Sequence, residues 1–464
     1  MNTMKNKLAI PMLLLSVASV AAAQKQAPPE GGPARAFTIP AHETYSLTNG
    51  LKVTLVPYGN IPKVTVSIQV DAGSIDEGSS HIGVASMATN LMKEGTDKLT
   101  AGQVANEAGS MGGALSIYSD EDSTGAELDV LSMFGPQAVR LLSGVLEHPR
   151  LPESELGRLK NDRLRQIAVD NSRAQTVALT RFRKILYGDH PYSIVLPSEA
   201  DVKKITIDDV KAYVSGNFTP ERTHIYVAGL FDGPTVKRAI EENFKAWPKG
   251  STPRASNPPA TTAHRVLDVS DRPNAPQSTL IIGLPVIPAN NPDALSLSVT
   301  NALLGGSFNS RITANIREAK GYTYSPYSQI SDRYHDAYWA ESADVTTKFT
   351  GASLKEILVE IQRLGSEPPS ATELKGIQNY LSGVFILRNS TRGNLIGQLQ
   401  FVDEQGLGED YLTKYVARVN AVTPEEVKKL TAKYLKPEAM TVVVVGDKAQ
   451  ISEQLTAFAP VAKP

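Results

Sequence analysis

Seven histidines are the imidazoles with which this chain could hold a transition metal: His42, His81, His148, His190, His224, His264 and His335. None stands four residues from another, the spacing that sets two imidazoles on one helix face, and no cysteine exists to offer a thiolate. Each therefore reads as a surface or hydrogen-bonded residue. A different chemistry is available at Arg317 and Tyr324, seven apart in Leu303-Leu-Gly-Gly-Ser-Phe-Asn-Ser-Arg311-Ile-Thr-Ala-Asn-Ile-Arg317-Glu-Ala-Lys-Gly-Tyr322-Thr-Tyr324-Ser. A guanidinium and a phenol are donors that can bind carbonyl oxygens or stabilise an oxyanion. The ordinary reading stands beside this one: an arginine in a last helical turn complements the helix dipole, and a tyrosine early in a strand packs at an interface. Tyr322 is near enough to be confused with Tyr324.

The elements that would position these groups are legible. Gly321 is expected to end a helix at its C′ position, with Arg317 in the last turn and Tyr324 on the next strand. Gly305, Gly306 and Ser307 read as a tight turn, because the Lys-Ser/Thr of a phosphate loop does not follow. In the first half, Gly83-Val-Ala-Ser86-Met-Ala-Thr89-Asn90-Leu-Met-Lys-Glu-Gly95-Thr96 predicts a helix with Val84, Met87, Ala88 and Leu91 as its apolar stripe, and Ser86, Thr89 and Asn90 beside it. Tyr45 to Val56 reads as two strands about an Asn49-Gly50 pair that favours a type I′ hairpin. Val64, Val66, Ile68 and Val70 alternate as in a strand with one buried face. After Met111-Gly112-Gly113, the run Ala114-Leu115-Ser116-Ile117-Tyr118-Ser119 predicts another strand.

An internal repeat sets the larger architecture. Thr206-Ile-Asp-Asp-Val-Lys-Ala-Tyr, Pro220-Glu and Ile225-Tyr-Val-Ala-Gly229 match Thr423-Pro-Glu-Glu-Val-Lys-Lys-Leu, Pro437-Glu and Val442-Val-Val-Val-Gly446 at a constant offset of about 217 residues. Each copy predicts a threonine-capped helix with an acidic first turn, a proline turn and a β-branched strand. Two homologous halves follow, residues 37–247 and 263–460, joined by a linker at 248–262 rich in Pro, Gly and Ser.

A length of 464 residues, 41% of them hydrophobic, allows more than one core. A net charge of −1 makes no electrostatic case for nucleic acid or an anionic membrane. Lys5 and Lys7, the apolar run Leu8 to Val20 and Ala21-Ala22-Ala23 form a secretory signal pattern over residues 1–23. The run is too short to span a bilayer well, and no lipobox cysteine could anchor the product. An exported, periplasmic protein with a flexible leader at 24–36 is expected, and a lack of thiols suits an oxidising compartment.

The run Gly83 to Thr96 resembles the zinc helix of the M16 (pitrilysin/insulinase-like) peptidases, Gly-Leu-Ala-His-x-x-Glu-His-Met-x-x-x-Gly-Thr. On that alignment Ser86, Thr89 and Asn90 stand where the family has two zinc ligands and, between them, its catalytic glutamate. A hydroxyl and an amide neither ligate zinc in that way nor take a proton from its water. The family's third ligand, a later glutamate, would fall between Arg165 and Ile167, where no carboxylate stands. The Gly305 to Ser325 block, by contrast, resembles the family's Gly-Gly-x-x-x-Ser-Arg-Leu-x-x-x-x-Arg-Glu-x-x-Gly-x-x-Tyr-Ser and keeps its Arg and Tyr as Arg317 and Tyr324. His190-Pro-Tyr192 also fits the family, as a packing turn.

The resemblance implies two α+β domains, each a mostly antiparallel sheet with helices on one face, arranged as half of a clamshell. It implies that Ala114, Leu115, Ser116, Ile117, Tyr118 and Ser119 form an edge on which extended peptide pairs. It further implies a non-zinc subunit that carries no cofactor itself and catalyses nothing alone. Such a subunit would pair with a zinc-bearing M16 partner, close the chamber and contribute Arg317 and Tyr324. The alternatives are an inert scaffold and a stand-alone periplasmic peptide-binding protein.

Overall fold

In the computed structural model, residues 37–250, 259, 261, 265–408 and 410–458 are described. The signal pattern at 1–23, the leader at 24–36 and most of the linker at 248–262 lie outside these residues. Two mixed sheets organise the chain. The first contains β1 (Glu43–Ser46), β2 (Lys52–Pro57), β3 (Lys63–Val70), β4 (Ser116–Ser119), β5 (Thr124–Leu131) and β6 (Thr223–Gly229), in the order β1-β2-β6-β3-β5-β4. The second contains β7 (Val266–Asp271), β8 (Gln277–Val286), β9 (Tyr327–Arg333), β10 (Asp336–Thr346) and β11 (Thr441–Gly446), in the order β7-β11-β8-β10-β9. Among the described residues, only the β2–β6 and β7–β11 pairings are parallel. Setting β2 against β7, β6 against β11, β3 against β8, β5 against β10 and β4 against β9 superimposes the two orders, so the repeat seen in the sequence is a repeat of whole sheets.

The repeated segments form as expected. Thr206 and Thr423 cap the helices Ile207–Asn217 and Pro424–Tyr434 by accepting from the amides of Asp209 and Glu426. Short turns at Pro220 and Pro437 follow, and β6 and β11 are buried along their whole length. One face of each sheet carries the main core. In the first half, Val53, Leu55, Val66, Ile68, Leu128 and Ile225 meet Met87, Leu91, Leu142 and Ile240 from the covering helices. In the second, Leu280, Ile282, Val442 and Val444 meet Leu303, Leu354 and Ile357.

The expectation that β3 has one buried face is corrected here: from Val64 to Val70 every residue of β3 is buried. The cause is an exchange of helices. The helix Arg392–Glu404, from the second half, lies on the other face of the first sheet, with Leu395 and Ile396 against Val56, Tyr226 and Ala228. Its repeat counterpart, Ala174–Tyr187 of the first half, covers the other face of the second sheet, where Ala178 and Phe182 meet Ile281, Tyr338, Val443 and Val445. Gly283 makes room for this contact, since a Cβ there would come within 2.8 Å of the Phe182 ring. The two exchanges differ in chemistry. The second sheet offers an apolar face, whereas the first offers Thr54, Thr65, Ser67, Gln69 and His224, and its covering helix answers with Arg392, Gln400 and Asp403.

The turn between β1 and β2 also departs from the expected type I′ hairpin. A type I′ turn needs positive φ at both central residues, and here only Gly50 has one, at 98°. Asn49 instead turns its side chain inward, donating to the carbonyls of Phe244 at 2.8 Å and Trp247 at 3.2 Å. That tie to the end of the helix Gly233–Phe244 outweighs local turn preference.

Candidate functional site

The helix Val84–Met92 buries Val84, Met87, Ala88 and Leu91, as its stripe predicts. Its polar positions are spent on the helix itself. The Ser86 hydroxyl donates to the Gly83 carbonyl at 3.0 Å, the Thr89 hydroxyl donates to the Ser86 carbonyl at 3.0 Å, and the Asn90 side-chain oxygen accepts from Lys93. Thr89 is 4% exposed, so the middle position faces protein rather than solvent. These donors do not fit a zinc ion, and among the described residues no group of three or more His, Asp or Glu could hold a metal.

The start of this helix is held by a carboxylate that no spacing in the sequence marks. Glu77, preceding the helix by a short loop, accepts from the amides of Gly83 at 2.8 Å and Ala85 at 2.9 Å, two of the donors a helix leaves unpaired at its N-terminus. Burial pushes its pKa up to about 7, against a smaller opposing pull from those two bonds and from Arg163. The helix Glu153–Asn171 runs alongside. The residues between Arg165 and Ile167, where the resemblance placed the third ligand, point elsewhere: Arg165 pairs with Asp162, Gln166 donates to Asp170 at 3.1 Å, and Ile167 is buried. Arg163 is the residue of this helix that reaches the cleft beside Glu77. That cleft, about 320 Å³, is lined by Glu77, Ser86, Ser119, Asp120, Glu121 and Arg163 among others.

Ser119 ends β4, the outermost strand of the first sheet. The strand spans Ser116–Ser119, with Ala114 and Leu115 in the approach to it, because Ser116 is the first residue to pair with β5. Ile117 is buried, while Ser116 and Tyr118 face outward. The edge that extended peptide would need is therefore present, and among the described residues no strand pairs on its outer side.

In the second half, Arg317 and Tyr324 come together. The segment Thr313–Ala319 is a wide π-type turn, with the Lys320 amide donating to the Asn315 carbonyl. Gly321, at φ 63°, ends it as expected. The Arg317 guanidinium carbon lies 4.7 Å from the centre of the Tyr324 ring and 4.5 Å from that of Phe308, and its Nε pairs with Glu318. Tyr324 is 77% exposed and Phe308 62%. Tyr324 is not on a strand, as had been expected, but in the loop ahead of β9. An isolated bridge ties the preceding residue, Thr323, to Val345 of β10. Tyr322 takes the other role, stacked on Phe349 with ring centres 4.4 Å apart. Beneath the Gly305-Gly306 turn, a Cβ on Gly305 would approach Glu341 Oε2 and Ser328 Oγ to 2.5 Å, which explains the glycine.

The two constellations are separate: Arg317 and Tyr324 are not among the residues lining the Glu77–Arg163 cleft, and their ion pair and ring contacts stay within the second half. Phe308 is not legible in the sequence, because a single aromatic in a glycine-rich turn has no periodic signal. Nor is Arg163, because a helix rich in arginine does not mark which one turns inward.

Comparisons with known proteins bear on both halves. Residues 53–197 match the family model for insulinase (peptidase family M16), and residues 204–381 match that for the peptidase M16 inactive domain. An uncharacterized zinc protease of Bacillus subtilis is 24% identical over 408 residues, covering 83% of this chain and 94% of its own. The mitochondrial-processing peptidase subunit beta of Blastocladiella emersonii is 22% identical over 427 residues, 89% of this chain and 90% of its own. Among solved structures, a peptidase M16 inactive domain from Pseudomonas fluorescens aligns with TM-score 0.81 at 24% identity, over 87% of this chain and 98% of that one. A protease from Helicobacter pylori aligns with TM-score 0.82 at 19% identity, over 88% and 100%. With both halves matched by its models and the two-sheet fold shared with its solved members, this chain belongs to the M16 peptidase family.

Proposed function

We propose that this chain is the non-zinc subunit of a heterodimeric M16 metallopeptidase, exported to the periplasm. There it completes a peptide-cleaving chamber and supplies Arg317 and Tyr324 to a site whose zinc, water and general base belong to a partner with an intact His-x-x-Glu-His helix. The observation that carries this reading is the contact of Arg317 with an exposed Tyr324, in a chain whose own metal helix has spent its polar groups on itself. Two donors held together at a surface suit substrate carbonyls and a developing oxyanion. Relatives named as a zinc protease and as a processing-peptidase subunit support a part in peptide cleavage.

Mixing the mature chain with an M16 protein that bears the intact motif tests it. Chelator-sensitive peptidase activity absent from this chain alone, and well above that of the partner alone, is expected. A partner equally active without this chain would overturn the reading. The open edge of β4 favours a second reading, a peptide-binding protein that acts alone.

A further inference from the structure

In the cleft beside the former metal helix, every carboxylate has its partners and one cation does not. Glu77 accepts from two helix amides. Asp120 accepts from the amides of Asp122 and Ser123 at 2.8 and 2.7 Å. Glu121 meets Arg183 at 2.7 Å and Arg333 at 3.4 Å. Arg163 has neither a hydrogen bond nor an ion pair among the described residues, and its Nε is fully buried without a partner. Its neighbours on the same helix are paired: Arg158 with Glu94, Glu155 and Asp162, and Arg165 with Asp162. Burial holds the Arg163 pKa below the usual guanidinium value, because the charges of Asp170 and Glu77 offset only part of that cost.

We propose that this cleft is a carboxylate-binding site and that Arg163 is its recognising group. A guanidinium presents parallel N–H donors that match the two oxygens of a carboxylate. Ser119, the last residue of the edge strand β4, lines the cleft, so an extended peptide lying on that edge would end beside it. Such a peptide brings a carboxylate from one of two sources, its own C-terminus or an aspartate or glutamate side chain. The inference shares the peptide edge with the function proposed above but needs no zinc-bearing partner.

The remaining charges allow an anion to enter. Glu121 is already matched by two arginines. Glu77, faced by Arg163 and by Asp76 and sharing the cleft with Asp120 and Glu121, titrates near neutral pH and can stay protonated beside a bound carboxylate. Binding should therefore tighten as pH falls through about 7.

Short labelled peptides, titrated by fluorescence anisotropy into the mature full chain without any partner, test this. Three probes share one uncharged sequence: one with a free C-terminal acid, one amidated, and one amidated with a single internal glutamate. At least one acid-bearing probe should bind about tenfold more tightly than the neutral amide, and Arg163→Gln should abolish that preference while leaving the melting temperature unchanged. Arg163→Lys should restore part of it. Preference for the free acid alone assigns the C-terminus; preference for the internal glutamate assigns a side chain. Equal binding of all three probes, no binding of any, or a preference that survives Arg163→Gln would overturn the proposal. Because no partner is present, failure of the heterodimer reading leaves this result standing.

Discussion

His224 and Asp403 meet between the two halves of the chain, Nδ1 of one 2.9 Å from Oδ2 of the other. The opposite ring nitrogen lies 2.9 Å from the Thr54 hydroxyl, which in turn lies 2.9 Å from that of Thr44, so a polar row crosses three strands and ends on the exchanged helix Arg392–Glu404. Burial alone would raise the Asp403 carboxyl, but the bond and charge of His224, together with Lys52, outweigh it and hold it below the usual carboxylate range.

A carboxyl depressed in the folded state stabilises the fold fully above its unfolded pKa and ceases to do so as pH falls through its lower folded value. Asp403→Asn should cost about 1 kcal/mol at neutral pH, the modest figure of a partly exposed pair, and should flatten the loss of stability below the usual carboxylate pKa. Urea unfolding of both proteins across acid pH measures this. An unchanged midpoint at neutral pH would deny the pair any part in holding the helix.

The other exchanged helix is held by packing. Phe182→Ala empties a fully buried site between Ile281, Tyr338 and Gly283, and should cost about 3–5 kcal/mol. Leu395→Ala, under the first sheet, should cost about 2–5 kcal/mol. The two sites lie on different sheets, so the double variant should lose the sum in denaturant unfolding.

Arg317→Ala or Tyr324→Phe should leave assembly with a zinc-bearing partner intact and lower turnover about 10²-fold to 10³-fold, the usual loss with one oxyanion donor. Tyr322→Ala should act in reverse, reducing melting temperature through the lost Phe349 stack while turnover in the assembled complex stays near normal. Steady-state kinetics on complexes isolated by size exclusion separates these outcomes. Weakened assembly with normal turnover in the Arg317 and Tyr324 variants would make the pair structural.

Writing His, Glu and His into positions 86, 89 and 90 should not create a zinc peptidase. The third ligand is still missing, and a glutamate at the buried Thr89 position would carry its carboxylate out of water. Elemental analysis should find no stoichiometric zinc in the triple variant, and its melting temperature should be lower than that of the parent. One tightly bound zinc per chain, accompanied by chelator-sensitive cleavage, would contradict this.

Glu77 acts on stability with the opposite sign to Asp403. Its folded pKa of about 7 lies above that of an unfolded glutamate, so between those values the folded chain keeps a proton that the unfolded chain gives up. Stability therefore falls as pH rises through that window. Glu77→Gln should remove this slope, visible as a smaller drop in melting temperature between pH 5 and pH 8.

Much of the fold was legible because it was stated twice. Thr206 and Thr423, with their capping partners and following strands, mark a repeat that one copy alone could not establish, and the apolar stripe from Val84 to Leu91 has the period of the helix it forms. What escaped depends on contacts between residues far apart in the chain. Alternation along β3 says that one face meets a core but not that Arg392–Glu404 arrives to cover the other. Asn49 looked like a hairpin residue until the carbonyls of Phe244 and Trp247 came within its reach. At the sites, the missing ligands at 86, 89 and 90 could be read from residue type alone. Arg163 and Phe308 owe their significance to what surrounds them.

The exchanged helices separate the unit of duplication from the unit of folding. A half expressed alone would keep its sheet but lose that sheet's second cover, while its own helix Ala174–Tyr187 or Arg392–Glu404 would have nothing to lie on. A polypeptide nicked between residues 250 and 265 should consequently remain one particle, each fragment clasping the other as two hands do.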